Sequence, residues 1–177
     1  MNRESSPKVI IGIYSSQNRL FVSNPILKKI IRQLNIDFPL TFVALERLTN
    51  LSNQLDEIFW LIDKNGKILL INNIFAKLLG QEKAKIEGKN YIDFIPSSQV
   101  KIIMMIDNYV KDTNELISIE DVKSKLFHLP PDKQFIIYPV LNAKKNLAAI
   151  AGFSISKSTL NTIQVTKTGS LSERKID

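Results

Sequence analysis

One tight turn constrains this chain more than any other feature. Asn65-Gly66 sits between two apolar runs in IFWLIDKNGKILLINNIFAKLLG, residues 58–80. A two-strand turn of this kind needs positive φ, which glycine adopts freely and asparagine tolerates. Residues 58–63 and 67–72 therefore read as the arms of a β-hairpin. Asp63 can accept bonds from the N–H groups of its own turn. Asn72 or Asn73 can cap the helix that follows, and Gly80 can end it. None of these residues needs to do chemistry; the punctuation fixes a sharp strand-to-helix geometry.

The rest of the chain is read outward from that hairpin. PKVIIGIYSS, with its β-branched residues, is a strand, and NRLFVS is a second. Asn24-Pro25 opens a helix through ILKKIIRQL, Asn24 capping and Pro25 in the first turn. A second helix is expected over 39–57, with Asp37 as a candidate cap. Its leucines Leu45, Leu48, Leu51 and Leu55 recur at helical spacing, with Ser52 the interruption. Ser97 or Ser98 should cap a long helix through QVKIIMMIDNYVKD. Three strands follow, over about 116–127, 134–141 and 147–155. The periodicity is lost in the last 20 or so residues. Short antiparallel strands with helices grouped between them make an α+β fold.

The order of these pieces resembles a PAS domain. LIDKNGKILLINNIFAKLLG is similar to that family's opening, a hydrophobic strand, an Asp-x-x-Gly turn, a strand ending in Asn, and a short helix ending in Gly. IEGKNYIDFIP resembles the segment that follows, and FIIYPVL and LAAIAGFSIS the two closing strands. The resemblance implies a five-stranded antiparallel sheet with helices on one face, enclosing a small cavity. It divides the chain into an N-terminal extension (1–37), an amphipathic flanking helix (38–57), the PAS domain (58–156) and a polar tail or linker (157–177). Residues 10–31 also align without gaps on 58–79, placing Asn24 on Asn72. The extension thus reads as a partial echo of the PAS opening.

Composition narrows the chemistry. There is no cysteine, so disulfides, thiolate metal sites and the cysteine photochemistry of light-sensing PAS domains are excluded. The one histidine, His128, lies at a strand end rather than on the long helix where haem-binding members carry their ligand. Trp60 could stack on a flavin, but a lone tryptophan in a first strand is more often core or interface. Met104 and Met105 are read as core fillers. Asp56/Glu57 and Glu120/Asp121 are sequence neighbours and do not converge as catalytic pairs. The expectation is no enzyme, no metal and no coloured cofactor. No apolar run reaches the roughly 18 residues of a membrane span, and the N-terminus lacks a signal-peptide pattern, so a cytoplasmic protein is expected.

The net charge of +7 sits in the flanks: +4 in residues 1–37 and +2 in 156–177, against +1 in 38–155. A solvated flank is favoured over a nucleic-acid groove. The alternative function is a DNA-binding regulator using Lys28, Lys29 and Arg32 of the first helix. The favoured one is a sensory and protein-interaction module of bacterial-type signalling, as in a histidine kinase or transcription regulator, working through a downstream domain or partner. A homodimer is expected through Leu45, Leu48 and Leu55. The expected ligand pocket is Leu70, Phe75, Leu79, Tyr91, Phe94, Ile103, Phe135, Ile137 and Phe153, mostly aliphatic and aromatic, suited to a small apolar molecule or simply packed.

Overall fold

The computed structural model describes residues 9–14, 24–36, 40–121 and 132–156. In chain order the elements are β1 (Val9–Tyr14), α1 (Pro25–Ile36), α2 (Phe42–Ser52), β2 (Phe59–Asp63), β3 (Ile68–Ile71), α3 (Asn73–Leu79) and α4 (Lys83–Ile86). A 3-10 turn (Tyr91–Phe94), α5 (Ser97–Thr113), β4 (Leu116–Asp121), β5 (Lys133–Leu141) and β6 (Leu147–Ser156) complete them. The expected strand over NRLFVS, the Asp37 cap, His128 and the tail fall outside the described residues.

Local chemistry accounts for most boundaries. Asp63 Oδ1 accepts from the N–H groups of Asn65 (2.8 Å) and Lys67 (2.9 Å), and Gly66 takes φ +84°. Gly66 is held to glycine twice over, because a Cβ there would also come within 2.8 Å of the Tyr91 ring. Asn24 Oδ1 accepts from Ile26 and Leu27 at the start of α1. Asn72 Oδ1 does the same for Phe75 at the start of α3, and Gly80 ends that helix at φ +67°. Two caps differ from the sequence reading. Thr41 caps α2, its Oγ1 accepting from Ala44 (3.2 Å). Pro96 precedes α5, placing Ser97 inside the helix.

The strands form one antiparallel sheet in the order β1-β4-β5-β6-β2-β3. Strands β2–β6 are the five expected from the sequence. The sixth, β1, pairs along the free edge of β4 through all of its residues, from Val9↔Asp121 to Tyr14↔Leu116. The two faces of the sheet carry separate cores. One face packs against α3, α4 and α5. The other is covered by α1 and α2, whose Leu27, Ile30, Leu34 and Leu48 meet Phe59, Leu61, Ile136 and Phe153. The echo of the PAS opening is therefore local: Asn24 and Asn72 cap alike, but the helices they begin lie on opposite faces.

The leucine stripe of α2 faces this second core. Leu48 is fully buried, Leu55 is 4% exposed just beyond the helix end, and Leu45 packs on the same cluster. This corrects the expected dimer seam, because Leu48 and Leu55 are covered by their own sheet and are not available to a second copy. The interrupting Ser52 is tolerated there since its hydroxyl donates to Thr49 O within the helix (3.0 Å). Burying each such leucine is worth about 1.5–3 kcal/mol, which explains why the stripe turns inward. Leu48→Ala should lower unfolding stability by about 2–5 kcal/mol in urea titration; a loss below about 1 kcal/mol would show that α2 is not docked on the sheet.

Candidate ligand-binding pocket

A cavity of about 60 Å³ lies between the sheet and the layer made by α3, the 3-10 turn and α5. Strand register decides which side chains reach it. Ile117 pairs with Ile137, Ile119 with Phe135, and Ile137 with Gly152, so these positions share a face. Trp60 and Ile62 of β2 face the same way, opposite Gly152 and Ile150. From the helical side come Phe75 and Leu79 of α3, Tyr91, Phe94 and Ile95 around the 3-10 turn, and Ile103, Ile106 and Asp107 of α5.

The structure brings together seven of the residues named from the sequence: Phe75, Leu79, Tyr91, Phe94, Ile103, Phe135 and Ile137. It sends Leu70 and Phe153 to the opposite core. Leu70 is displaced by a bulge between β2 and β3. Leu61 pairs with Leu70 but Ile62 with Ile68, so Leu69 is an extra residue and the alternation slips. Ile68 and Ile71 line the cavity in its place. Phe153 sits opposite Phe59 on one side and Ile136 on the other, both of which face α1 and α2. Trp60, Ile62, Ile119 and Ile150 went unnamed because strand alternation leaves two faces and does not say which is inside. Met104 and Met105 do not fill core gaps; they are 42% and 43% exposed.

The polar groups at the cavity are few. Tyr91 donates its hydroxyl to Asp107 Oδ2 (3.1 Å), and Lys111 pairs with the same oxygen one helical turn on (2.6 Å). Burial, then the charge and hydrogen bond of Asp107, push the Tyr91 phenol well above its ordinary value. Trp60 lies across Gly152, where a Cβ would come within 2.1 Å of the indole ring. A second polar cluster stands outside the cavity. Glu57 pairs with Lys133 through Oε1, and its Oε2 accepts from Ser154 Oγ (2.7 Å). Ser154 Oγ in turn accepts from the Ile58 N–H (3.2 Å). This ties the entry to β2, the start of β5 and the end of β6. Ser154 is 2% exposed and its hydroxyl is engaged on both sides, donating to Glu57 and accepting from Ile58, so it serves the backbone tie. Among the described residues no group of three or more His, Asp or Glu could hold a metal, and no helix is long and apolar enough to cross a membrane. Lys28, Lys29 and Arg32 point to solvent from α1.

The tyrosines provide a check on this geometry. Tyr138, on the opposite face, donates to Asn35 Oδ1 (2.9 Å), and burial raises its pKa despite that bond. Tyr91 and Tyr138 should therefore ionise above the usual 10 in an ultraviolet titration of the folded chain. A phenol whose folded-state pKa is raised stabilises the fold below its unfolded pKa and loses that contribution as pH rises through the folded value. Stability should thus fall on the alkaline side of pH 10, and Tyr91→Phe should lessen the fall. Ionisation of all four tyrosines together near 10 would contradict the buried placement.

Comparisons with known proteins agree with this architecture. A family model for the PAS fold matches residues 46–133. The PAS domain of BvgS from Bordetella pertussis superposes with a TM-score of 0.53 at 19% identity, covering 68% of this chain and 93% of that one. A sensory box sensor histidine kinase from Vibrio cholerae gives a TM-score of 0.47 at 15% identity, covering 63% and 91%. No match was found among curated protein sequences. The hairpin, the two closing strands, the cavity between sheet and helices, and the family match lead to one assignment: the chain carries a PAS domain.

Proposed function

We propose that this chain is a sensory module whose PAS domain takes up a small apolar molecule and passes a conformational bias to its flanks. The cavity carries the reading. Its walls are almost wholly aliphatic and aromatic, and its one carboxylate, Asp107, is already engaged by Tyr91 and Lys111. Pockets of this kind select by shape and apolar contact, with few polar groups to orient the guest. The route to the flanks is the sheet. Phe135, Ile137 and Ile150 line the cavity, while their neighbours Ile136, Ala149 and Ala151 lie under α1 and α2. A guest that parts the sheet from α5 also changes the surface on which α1 and α2 rest. The output is a downstream signalling domain or partner, of the kind a histidine kinase or transcription regulator provides.

Thermal-shift screening of the full chain tests this. Small apolar compounds should stabilise it, by about 2.7 kcal/mol at a hundred times their dissociation constant. Stabilisation by dicarboxylates alone would overturn the reading, since no cation lines the cavity.

Homodimerisation through α2 moves to its outer side. Phe42 is 82% and Val43 61% exposed at the start of that helix, beside Glu46 and Arg47. A second copy that covers these two side chains against its own α2 would remove them from water. Light scattering should show a dimer for the wild-type chain and a monomer for Phe42→Glu; equal masses would refute the assignment. The nucleic-acid alternative gains nothing from the structure, because Lys28, Lys29 and Arg32 form the solvated face that any amphipathic helix docked by its other side requires.

A further inference from the structure

One atom in the cavity wall is out of keeping with the rest. Trp60 Nε1 is buried and has no hydrogen-bond partner among the described residues. A buried indole N–H ordinarily finds an acceptor, and a donor left unpaired in an apolar setting is costly. The ring's position is built in. Gly152 provides the bare backbone on which it rests, and a Cβ there would lie 2.6 Å from Nε1 itself. Gly152 pairs with Trp60 on one side and with Ile137 on the other, and Ile137 lines the cavity. The N–H edge of the indole therefore lies against β6 on the pocket face of the sheet, closed to a water-sized molecule until the ring shifts. The other polar groups at the cavity do not compete for it, because Tyr91 and Asp107 are bonded to each other and Asp107 also to Lys111.

We infer that the occupant of this pocket is a small neutral molecule with an apolar body and one hydrogen-bond acceptor, a carbonyl or ether oxygen or an aromatic nitrogen, which takes the Trp60 N–H. The inference rests on the reading of the cavity as a ligand site and adds the chemistry of that ligand. An anion is disfavoured because Asp107 stands in the wall and no cation does. The space of about 60 Å³ holds only a few heavy atoms, well below the roughly 150 Å³ of a cavity that accepts benzene.

Trp60 is the only tryptophan, so the full chain gives one indole signal in a proton–nitrogen correlation spectrum. The probes are cyclobutanone and methylenecyclobutane, a ketone and a hydrocarbon of nearly the same shape. The ketone should bind about tenfold more tightly, shift the indole signal downfield, and perturb the backbone amides of Ile137 and Ile150. Trp60→Phe keeps a ring over Gly152 without the N–H and should bind both probes alike. Equal binding of the two probes to wild type with an unmoved indole signal would overturn the donor role while leaving the pocket as a binding site. A tenfold ketone preference retained in Trp60→Phe would also overturn it. If neither probe perturbs Ile137 or Ile150, the pocket reading itself fails and the donor role with it.

Discussion

The side chain of Asn72 holds four pieces of this domain in register. It is fully buried, and every one of its four side-chain hydrogen bonds goes to backbone. Its oxygen accepts from Phe59 at the start of β2 and from Phe75 in the first turn of α3 (both 3.1 Å). Its nitrogen donates to Ser52 O at the end of α2 (3.1 Å) and to Glu57 O before β2 (2.7 Å). An asparagine is suited to this because it offers donors and acceptors at once, where aspartate offers only acceptors. The same residue thus sets the angle at which α3 leaves the sheet to wall the pocket and anchors the path by which α2 enters it.

The two faces of the sheet are also joined by the strands they share. A strand presents successive side chains to opposite faces, so β5 and β6 contribute to both cores at once. Close packing leaves little room to absorb a displacement locally. Under the proposed reading, movement of Ile137 or Ile150 against a guest would reach Ile136 and Ala151 under α1 and α2. The cluster of Glu57, Lys133 and Ser154 adds a polar tie where the chain enters β2 and leaves β6. Its side chains are about one-fifth exposed, so solvent screens the pair and its value lies in geometry more than in energy.

What could be read from the sequence was what depends on neighbouring residues. The hairpin at Asp63–Gly66 and the caps at Asn24, Asn72 and Gly80 are decided within a few residues of backbone, and their residue types announce them. The helical wall of the pocket was named through the family resemblance, which implies a cavity between the helices and the sheet, and Phe75, Leu79, Tyr91, Phe94 and Ile103 do fall together there. Positions that depend on a distant strand were harder. Leu70 was misplaced by one extra residue in β3, a slip that leaves no mark in the composition. The facing of β6 is fixed by Trp60 lying over Gly152, two residues brought together from opposite ends of the domain. The leucines of α2 showed that one helix face would be covered, but amphipathicity does not name the cover. Here it is the chain's own sheet.

The edge strand β1 has a consequence for how chains of this kind meet. It closes the open side of β4 with a complete antiparallel ladder, although about a hundred residues of sequence separate the two strands. Closing so long a loop costs entropy that a neighbouring molecule's strand, at high local concentration, pays differently. A second copy carries the same Val9–Tyr14 and the same β4 edge, so the six-residue register is one that two chains could in principle share. Strand exchange at that edge would join two chains by a reciprocal swap in which every backbone pairing of the isolated molecule is preserved.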